Sequence, residues 1–267
     1  MIRNITLGQY LPGKSIMHRA DPRTKLIITM LFMVILFIID SIWALLGALI
    51  FVVAAYWIAK IPFKYAIKGI RPILFIILFT VVINMFMTDG NTLVNLGFAR
   101  ITDQGLLRAA VVSLRVFMLI ASASVMTYTT TPISLTDGIE KLLNPLKKIK
   151  FPVHEMAMMM TIALRFIPTL IDETDKIMKA QAARGADIGT GNLLERAKSF
   201  IPILIPLFVS SFRRADDLAV AMEARCYRGS KGRTSMRVLK YSKTDVVIML
   251  GFLIICAGIL LIHYMIG

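Results

Sequence analysis

Few residues in this chain have the type and spacing for chemistry. Gly8 to Ser15 reads GQYLPGKS and matches the phosphate-binding pattern G-x-x-x-x-G-K-[S/T], with Lys14 and Ser15 at the phosphate and magnesium positions. Such a loop works by presenting successive backbone N–H groups to phosphate at a strand-to-helix turn. Pro12 removes one of those donors, Pro22 follows within seven residues of Ser15, and an apolar run comes next in place of an α/β domain. The segment therefore reads as a loop at a membrane surface. His18, His154 and His263 are far apart and make no i, i+4 metal pair. Cys226 and Cys256 give neither a disulfide framework nor a zinc spacing. No Ser/His/Asp set or carboxylate pair stands out.

A different chemistry is suggested by two stretches 41 residues apart, DKIMKAQAARG from Asp175 and DDLAVAMEARC from Asp216. Aligned on Arg184 and Arg225, each has Asp nine residues earlier, Ala four earlier and Ala one earlier. Ala183 and Gly185 flank one arginine, Ala224 and Cys226 the other. Small neighbours let a guanidinium enter a narrow groove on a partner, where its five donors suit carboxylates and carbonyls. An arginine in a last helical turn also complements the helix dipole without any partner. Two matched endings on one chain raise the docking reading to equal standing.

The elements that must hold these endings follow from composition. The chain has 267 residues, 57% hydrophobic, with a mean hydropathy of +0.73. Between Lys25 and Lys60 the only charge is Asp40. Those 34 residues as one helix would be about 50 Å long, too long for one crossing of a roughly 30 Å core, so Asp40–Ser41 marks a hairpin between two spans. The pattern predicts spans at about 26–39, 42–59, 72–87, 106–128 and 245–264. This is the signature of an all-α, multi-pass membrane protein.

The net charge of +15 follows that topology and is no nucleic-acid signal. Lys and Arg number five in residues 1–25, four in 60–71 and nineteen in 129–243, while 88–105 holds only Arg100. The positive-inside rule places the N-terminus, the 60–71 loop and the 129–243 segment in the cytoplasm, and five spans leave Gly267 outside. No cleavable leader is read, and the first span serves as an uncleaved anchor. Residues 1–128 form a membrane domain, 129–243 a cytoplasmic and membrane-surface domain, and 244–267 a last span.

Residues 129–243 lack period-2 alternation, so helices are expected. A short one starts near Ser134 or Thr136 with Leu135, Ile139, Leu142, Leu143 and Leu146 on one face, disturbed at Pro145. A second starts near Val153, bends at Pro168 and ends at Arg184. A third runs from about Ser199 to Cys226. The tripeptide FIP recurs at Phe166–Pro168 and Phe200–Pro202, 16 and 23 residues before the two arginines. The seven-residue difference is about two helical turns and keeps similar faces in phase.

Arg115 lies within the fourth span, where an arginine costs roughly 2.5–3.5 kcal/mol to insert and faces protein or water. It could pair inside the bundle or contact a partner subunit; Asn84 is weighed in the same way. In DPRTK, Asp21–Lys25, an ion cluster at the membrane surface is expected, with Asp21 capping a short surface helix begun by Pro22. Met156, Met158, Met159 and Met160 could fill an ordinary interface or form an adaptable sliding surface, since unbranched thioethers accommodate changing neighbours.

HRADPRTKL (His18–Leu26), ALRFIPTL (Ala163–Leu170), AQAARGAD (Ala180–Asp187) and AMEARCYRG (Ala221–Gly229) together resemble the transmembrane scaffold component of energy-coupling factor transporters. The similarity covers nearly the whole chain. It implies a scaffold in the bacterial cell membrane that joins two ABC-type ATPases to a small membrane subunit capturing vitamins or other micronutrients. Ala183-Arg184-Gly185 and Ala224-Arg225-Cys226 would be the two ATPase-docking motifs. The family often has glycine where this chain has Cys226, which leaves the stop of that helix open, with Gly229 as a later end. ATP and Mg would be bound by the partner ATPases, and this chain would carry no cofactor or metal and catalyse nothing. In this family ATP-driven closure of the ATPases is thought to move the coupling helices and topple the capture subunit, whose contact surface would include the methionines and Arg115.

Three rival readings stay open on sequence. One is the scaffold of a dedicated cobalt or nickel system. Another is a membrane-embedded enzyme acting on lipid, which would need reactive groups beyond Arg115, Asn84 and a few hydroxyls. The third is a self-contained carrier or channel, which would need discontinuous, charged spans.

Overall fold

The computed structural model describes residues 10–70, 73–88, 92–95, 100–186, 192–229 and 239–266. The chain enters through the four-residue helix α1 (Ile16–Arg19), capped by Ser15. Asp21 then caps α2 (Pro22–Ile38), its carboxylate accepting from the Arg23 N–H while Pro22 presets the first turn. The expected cap is thus present, but the helix it starts is not a short surface one: Leu26 onward continues it without a break as the first long apolar helix. After the Asp40–Ser41 turn comes α3 (Ile42–Ala59), ended by Lys60 in the left-handed conformation. There follow α4 (Phe63–Ile70), α5 (Leu74–Met87), β1 (Thr92–Asn95), β2 (Arg100–Thr102), α6 (Asp103–Thr129) and α7 (Pro132–Leu142). A 3-10 turn (Asn144–Ile149) leads to α8 (Val153–Ala183), α9 (Leu193–Ser199), α10 (Ile201–Ala224) and α11 (Lys243–Ile266).

Among the described residues the protein is all-α apart from one antiparallel hairpin, in which Thr92 faces Thr102 and Asn95 faces Arg100. That hairpin falls in the segment read as an external loop, and α4 lies in the 60–71 loop. Among the described residues, three helices are long and apolar enough to cross a membrane: α3, α6 and α11 over Lys243–Met265. At 17 and 14 residues, α2 and α5 are about 25 and 21 Å long, shorter than the bilayer core.

The described residues form two compact units, one of 10–141 with 239–266 and one of 142–229. In the first, α2, α3, α6 and α11 share a core that includes Phe32, Leu36, Leu45, Met118, Phe252 and Ile259. Ala44, Ala48, Ala55 and Ala59 are buried along α3, and such small residues let helix backbones approach closely. That matters in lipid, where association rests on packing and hydrogen bonds rather than on escape from water. Tyr56 Oη donates to the Ala121 carbonyl at 3.2 Å, tying α3 to α6. The opposite faces, with Phe37, Ile50 and Ile254, are exposed and apolar, as lipid-facing surfaces must be.

The leucine stripe expected on the short helix is not its buried side. On α7 the buried residues are Ser134, Thr136 and Gly138, while Leu135 and Ile139 are half-buried. Gly138 sits so close to α2 that a Cβ there would lie 3.1 Å from the Pro22 Cβ. Close approach, which periodicity does not encode, chose the small-residue face.

Candidate functional site

The second unit is built on α8 and α10, which run antiparallel. Gln181 near the end of α8 donates to the Pro202 carbonyl at the start of α10 (3.3 Å). Midway, Glu173 accepts from the Ser210 hydroxyl and from Arg214 Nη2 at 2.7 Å. The Ser210 hydroxyl foremost, with Arg214 beside it, holds the Glu173 carboxyl below the ordinary range. Further along, Ile162 and Phe166 meet Leu218 and Met222 around an open apolar groove of about 280 Å³. The Glu173–Arg214 pair escapes sequence reading, because the two residues are 41 apart and belong to no motif.

Antiparallel packing separates the two arginines. Arg184 closes α8 at the level of the α10 start, and 23 residues of α10 separate Pro202 from Arg225, about 35 Å of helix. The arginines therefore lie at opposite ends of one helix pair, and no single groove can take both. The two FIP prolines stand at different places in their helices: Pro168 is inside α8, which continues through it, whereas Pro202 stands in the first turn of α10 and Pro206 is its interior proline.

The endings themselves share their backbone angles and both closing hydrogen bonds. Arg184 (φ −87, ψ 6) and Arg225 (φ −89, ψ 12) hold the same cap position. The next residue turns left-handed in both, Gly185 at φ +82 and Cys226 at φ +56. Gly185 N–H donates to Ala182 O and Ala186 N–H to Gln181 O, each at 3.0 Å. Cys226 N–H donates to Glu223 O at 2.8 Å and Tyr227 N–H to Met222 O at 3.0 Å. Both are Schellman closures, in which the left-handed residue lets two N–H groups satisfy the last carbonyls. Cys226 thus takes the glycine position, and α10 stops there rather than at Gly229. Ala183, Arg184, Gly185, Ala224, Arg225 and Cys226 are all exposed.

A β-carbon in the left-handed conformation is strained, so Cys226→Gly is expected to stabilise the protein by about 1 kcal/mol and Gly185→Ala to destabilise it by a similar amount. Thermal unfolding of the purified protein in detergent checks both signs.

The other residues singled out fall elsewhere. On α8, Met159 and Met160 are exposed and Met156 and Met158 half-buried, at the same end of the helix pair as Arg225. Arg115 is held inside the first unit, its Nη2 donating to the Ile39 carbonyl and to Asp40 Oδ1 (2.8 Å), so it caps α2 at the α2–α3 turn. Asn84 Nδ2 donates to the Thr80 carbonyl one turn back in α5 (2.8 Å). Ser15 Oγ is engaged by His18 Nδ1 at 2.6 Å and starts only a four-residue helix, so the GKS segment is not the strand-to-helix turn of a phosphate loop. Among the described residues no group of three or more His, Cys, Asp or Glu could hold a metal ion.

The DPRTK cluster is larger than sequence suggests. Arg23 makes two bonds to Asp21 (3.1 and 2.9 Å), donates to the Leu239 carbonyl (3.1 Å) and stacks 4.0 Å over Tyr241. Asp245, the first acidic residue of α11, accepts from the Asp21 N–H at 2.7 Å and the Ser242 N–H at 2.8 Å. Lys25 donates to the Thr129 carbonyl (2.9 Å) and Thr130 Oγ1 (3.2 Å) at the end of α6. Three helix termini meet in this buried network. Sequence marks Asp21–Lys25 as an ion cluster, but the contacts to Asp245 and Leu239, 224 and 216 residues away, have no local signal.

Comparison with known proteins agrees with this architecture. The family CbiQ, described as cobalt transport protein, matches residues 13–236. The energy-coupling factor transporter transmembrane protein EcfT of Ruminiclostridium cellulolyticum is 55% identical over 264 residues, covering 99% of each chain. Proteins of the same name from Clostridium kluyveri and Bacillus subtilis are 52% and 47% identical, covering 97% and 96% of this chain and 97% of each relative. With membrane-crossing helices in the first unit and full-length similarity at this level, the chain belongs to the CbiQ family and is the transmembrane component of an energy-coupling factor transporter.

Proposed function

We propose that this chain is the non-catalytic scaffold of an ATP-driven uptake system, in which Arg184 and Arg225 each dock on one of two ABC-type ATPases. The observation that carries the reading is the pair of matching, exposed Schellman endings at opposite ends of the α8–α10 pair. A dipole-complementing arginine needs no matched twin and no small neighbours. Two matched endings about 35 Å apart suit two ATPases, the same or different. The six docking residues are Ala183, Arg184 and Gly185 on one ending, and Ala224, Arg225 and Cys226 on the other.

The ATPases supply nucleotide and magnesium chemistry, and a small membrane subunit captures the substrate, a vitamin or other micronutrient. Closure of the ATPases pulls the two ends of the α8–α10 pair, and the Met156–Met160 surface follows the capture subunit as it moves. Arg115 serves the bundle through Ile39 and Asp40 in this reading. The N-terminus and the 142–229 unit face the cytoplasm of a bacterial cell.

Affinity purification from the native membrane in mild detergent, followed by mass spectrometry, tests this directly. Recovery of ABC-type ATPases together with a small membrane protein is expected. Recovery of a cobalt- or nickel-binding subunit alone would assign a dedicated metal system, and recovery of the chain by itself would sink the scaffold reading.

A further inference from the structure

We propose that the cavity lined by Lys14 and Lys60 at the end of α3 binds the phosphate headgroup of an anionic phospholipid. The inference rests on the placement of the chain in a membrane and does not depend on ATPase docking.

An open cavity of about 690 Å³ lies between the 14–16 segment and the end of α3, with Lys14, Ser15, Ile16, Trp57, Lys60 and Pro62 among its walls. The segment that mimics a phosphate loop in sequence therefore does line a basic cavity, together with a second lysine 46 residues away. Both lysines are exposed, and among the described residues neither has an ion-pair partner. No acidic residue occurs in 1–20 or in 41–88, so no carboxylate from these stretches competes for them.

The cavity also has an apolar side. Trp57 is 84% exposed, Ile16 54% and Ile58 46%. Trp57 sits two residues from the end of a helix long and apolar enough to cross a membrane. At that level an indole has its ring among acyl chains and its N–H among headgroups. Two ammonium groups above exposed tryptophan and isoleucine fit a ligand that is phosphate at one end and hydrocarbon at the other.

A free nucleotide fits less well. Ser15 Oγ is engaged by His18, and Gly13 is pressed against the same ring, where a Cβ would come within 2.7 Å of it. The loop is thus folded on its own histidine rather than opened as a cradle of N–H groups. A zwitterionic headgroup fits less well too, because its own cation would meet Lys14 and Lys60. Each lysine near a membrane surface strengthens attraction to anionic lipid about 5-fold, so the pair gives about 30-fold.

The test uses the full-length protein with whatever subunits accompany it, loaded with equal parts of phosphatidylglycerol and phosphatidylcholine. Retained lipid is counted by native mass spectrometry. Preferential retention of phosphatidylglycerol is expected, and Lys14→Gln with Lys60→Asn is expected to reduce that preference about 30-fold. Asparagine is chosen because Lys60 has φ 56, which asparagine tolerates. The Lys147→Gln, Lys148→Gln protein removes the same charge elsewhere and is expected to keep the preference. If the double variant fails to fold, Lys14→Gln alone, in an exposed loop, is expected to lose about 5-fold.

Unchanged preference in the lysine variants overturns the proposal. Equal retention of the two lipids also overturns it, leaving an apolar surface without headgroup recognition. Displacement of the lipid by millimolar inorganic phosphate, with no loss of neutral lipid, would make this a free-phosphate site and overturn the lipid assignment.

Discussion

The protein carrying both Arg184→Glu and Arg225→Glu is expected to reach the membrane folded but to recover no ATPase on purification. An arginine docked in a desolvated groove leaves its partner carboxylates or carbonyls unpaired when removed, which costs about 2–5 kcal/mol of association. Arg184→Ala and Arg225→Ala are each expected to show that loss, and glutamate more, by repulsion. The two positions are separated by about 35 Å along the α8–α10 pair, so their effects are expected to add within about 0.5 kcal/mol.

A purely structural role predicts something different. Arginines that only complement the helix dipole would lower stability by about 0.3–1 kcal/mol each and leave association unchanged. Measuring unfolding and ATPase affinity on the same variants separates the two. Normal assembly of the double glutamate variant would end the docking reading.

The second large effect is expected at Asp245. Its side chain is 2% exposed and accepts two backbone N–H groups, from Asp21 and Ser242. Asp245→Ala leaves both donors without their acceptor and removes the negative charge nearest in effect to buried Lys25. Breaking such an arrangement is expected to cost about 3–5 kcal/mol, read as loss of thermal stability in detergent. Asp21 is the lesser partner. Burial opposes its ionisation, yet the Arg23 guanidinium and N–H hold its carboxyl below the usual range.

Lys25 gives that network a pH dependence. It is 7% exposed, and burial pushes its ammonium down to about 8, with Asp245 and then Asp21 partly opposing the shift. Below about pH 8 it is charged in both folded and unfolded chains, and the folded state bears the desolvation. Between about 8 and 10.5 the unfolded chain binds more protons than the folded one, so stability rises with pH, by up to about 3 kcal/mol across the window. The difference between the native protein and Lys25→Met, measured at pH 7.5 and pH 10 in the same buffer system, isolates this contribution. A flat difference would show that Lys25 is not the group responsible.

Much of this molecule is legible in one dimension. The long apolar runs, the lone Asp40 between two of them and the unequal distribution of lysine and arginine dictate a helical membrane protein. Burying unpaired backbone in lipid is so costly that few alternatives survive. Gly185 marks the end of α8 in sequence, because a glycine at the left-handed position is a local requirement, whereas Cys226 left the end of α10 open until the structure showed it in that position. Asp21 and Pro22 mark a helix start for the same local reason.

What the sequence could not supply is everything set by which helix faces which. Identical local endings say nothing about their separation; antiparallel packing through Glu173, Ser210 and Arg214 puts the arginines at opposite ends of the pair. Arg115 could have faced a partner, and the position of the α2–α3 turn gave it Ile39 and Asp40 as neighbours. Leucines marked the expected inner face of α7, but Gly138 allowed α2 to come closest on the other side. Lys14 and Lys60, like Lys25 and Asp245, come into one neighbourhood only through packing. Local conformational preference is written residue by residue, whereas such contacts join distant residues through tertiary geometry that the helix pattern leaves open.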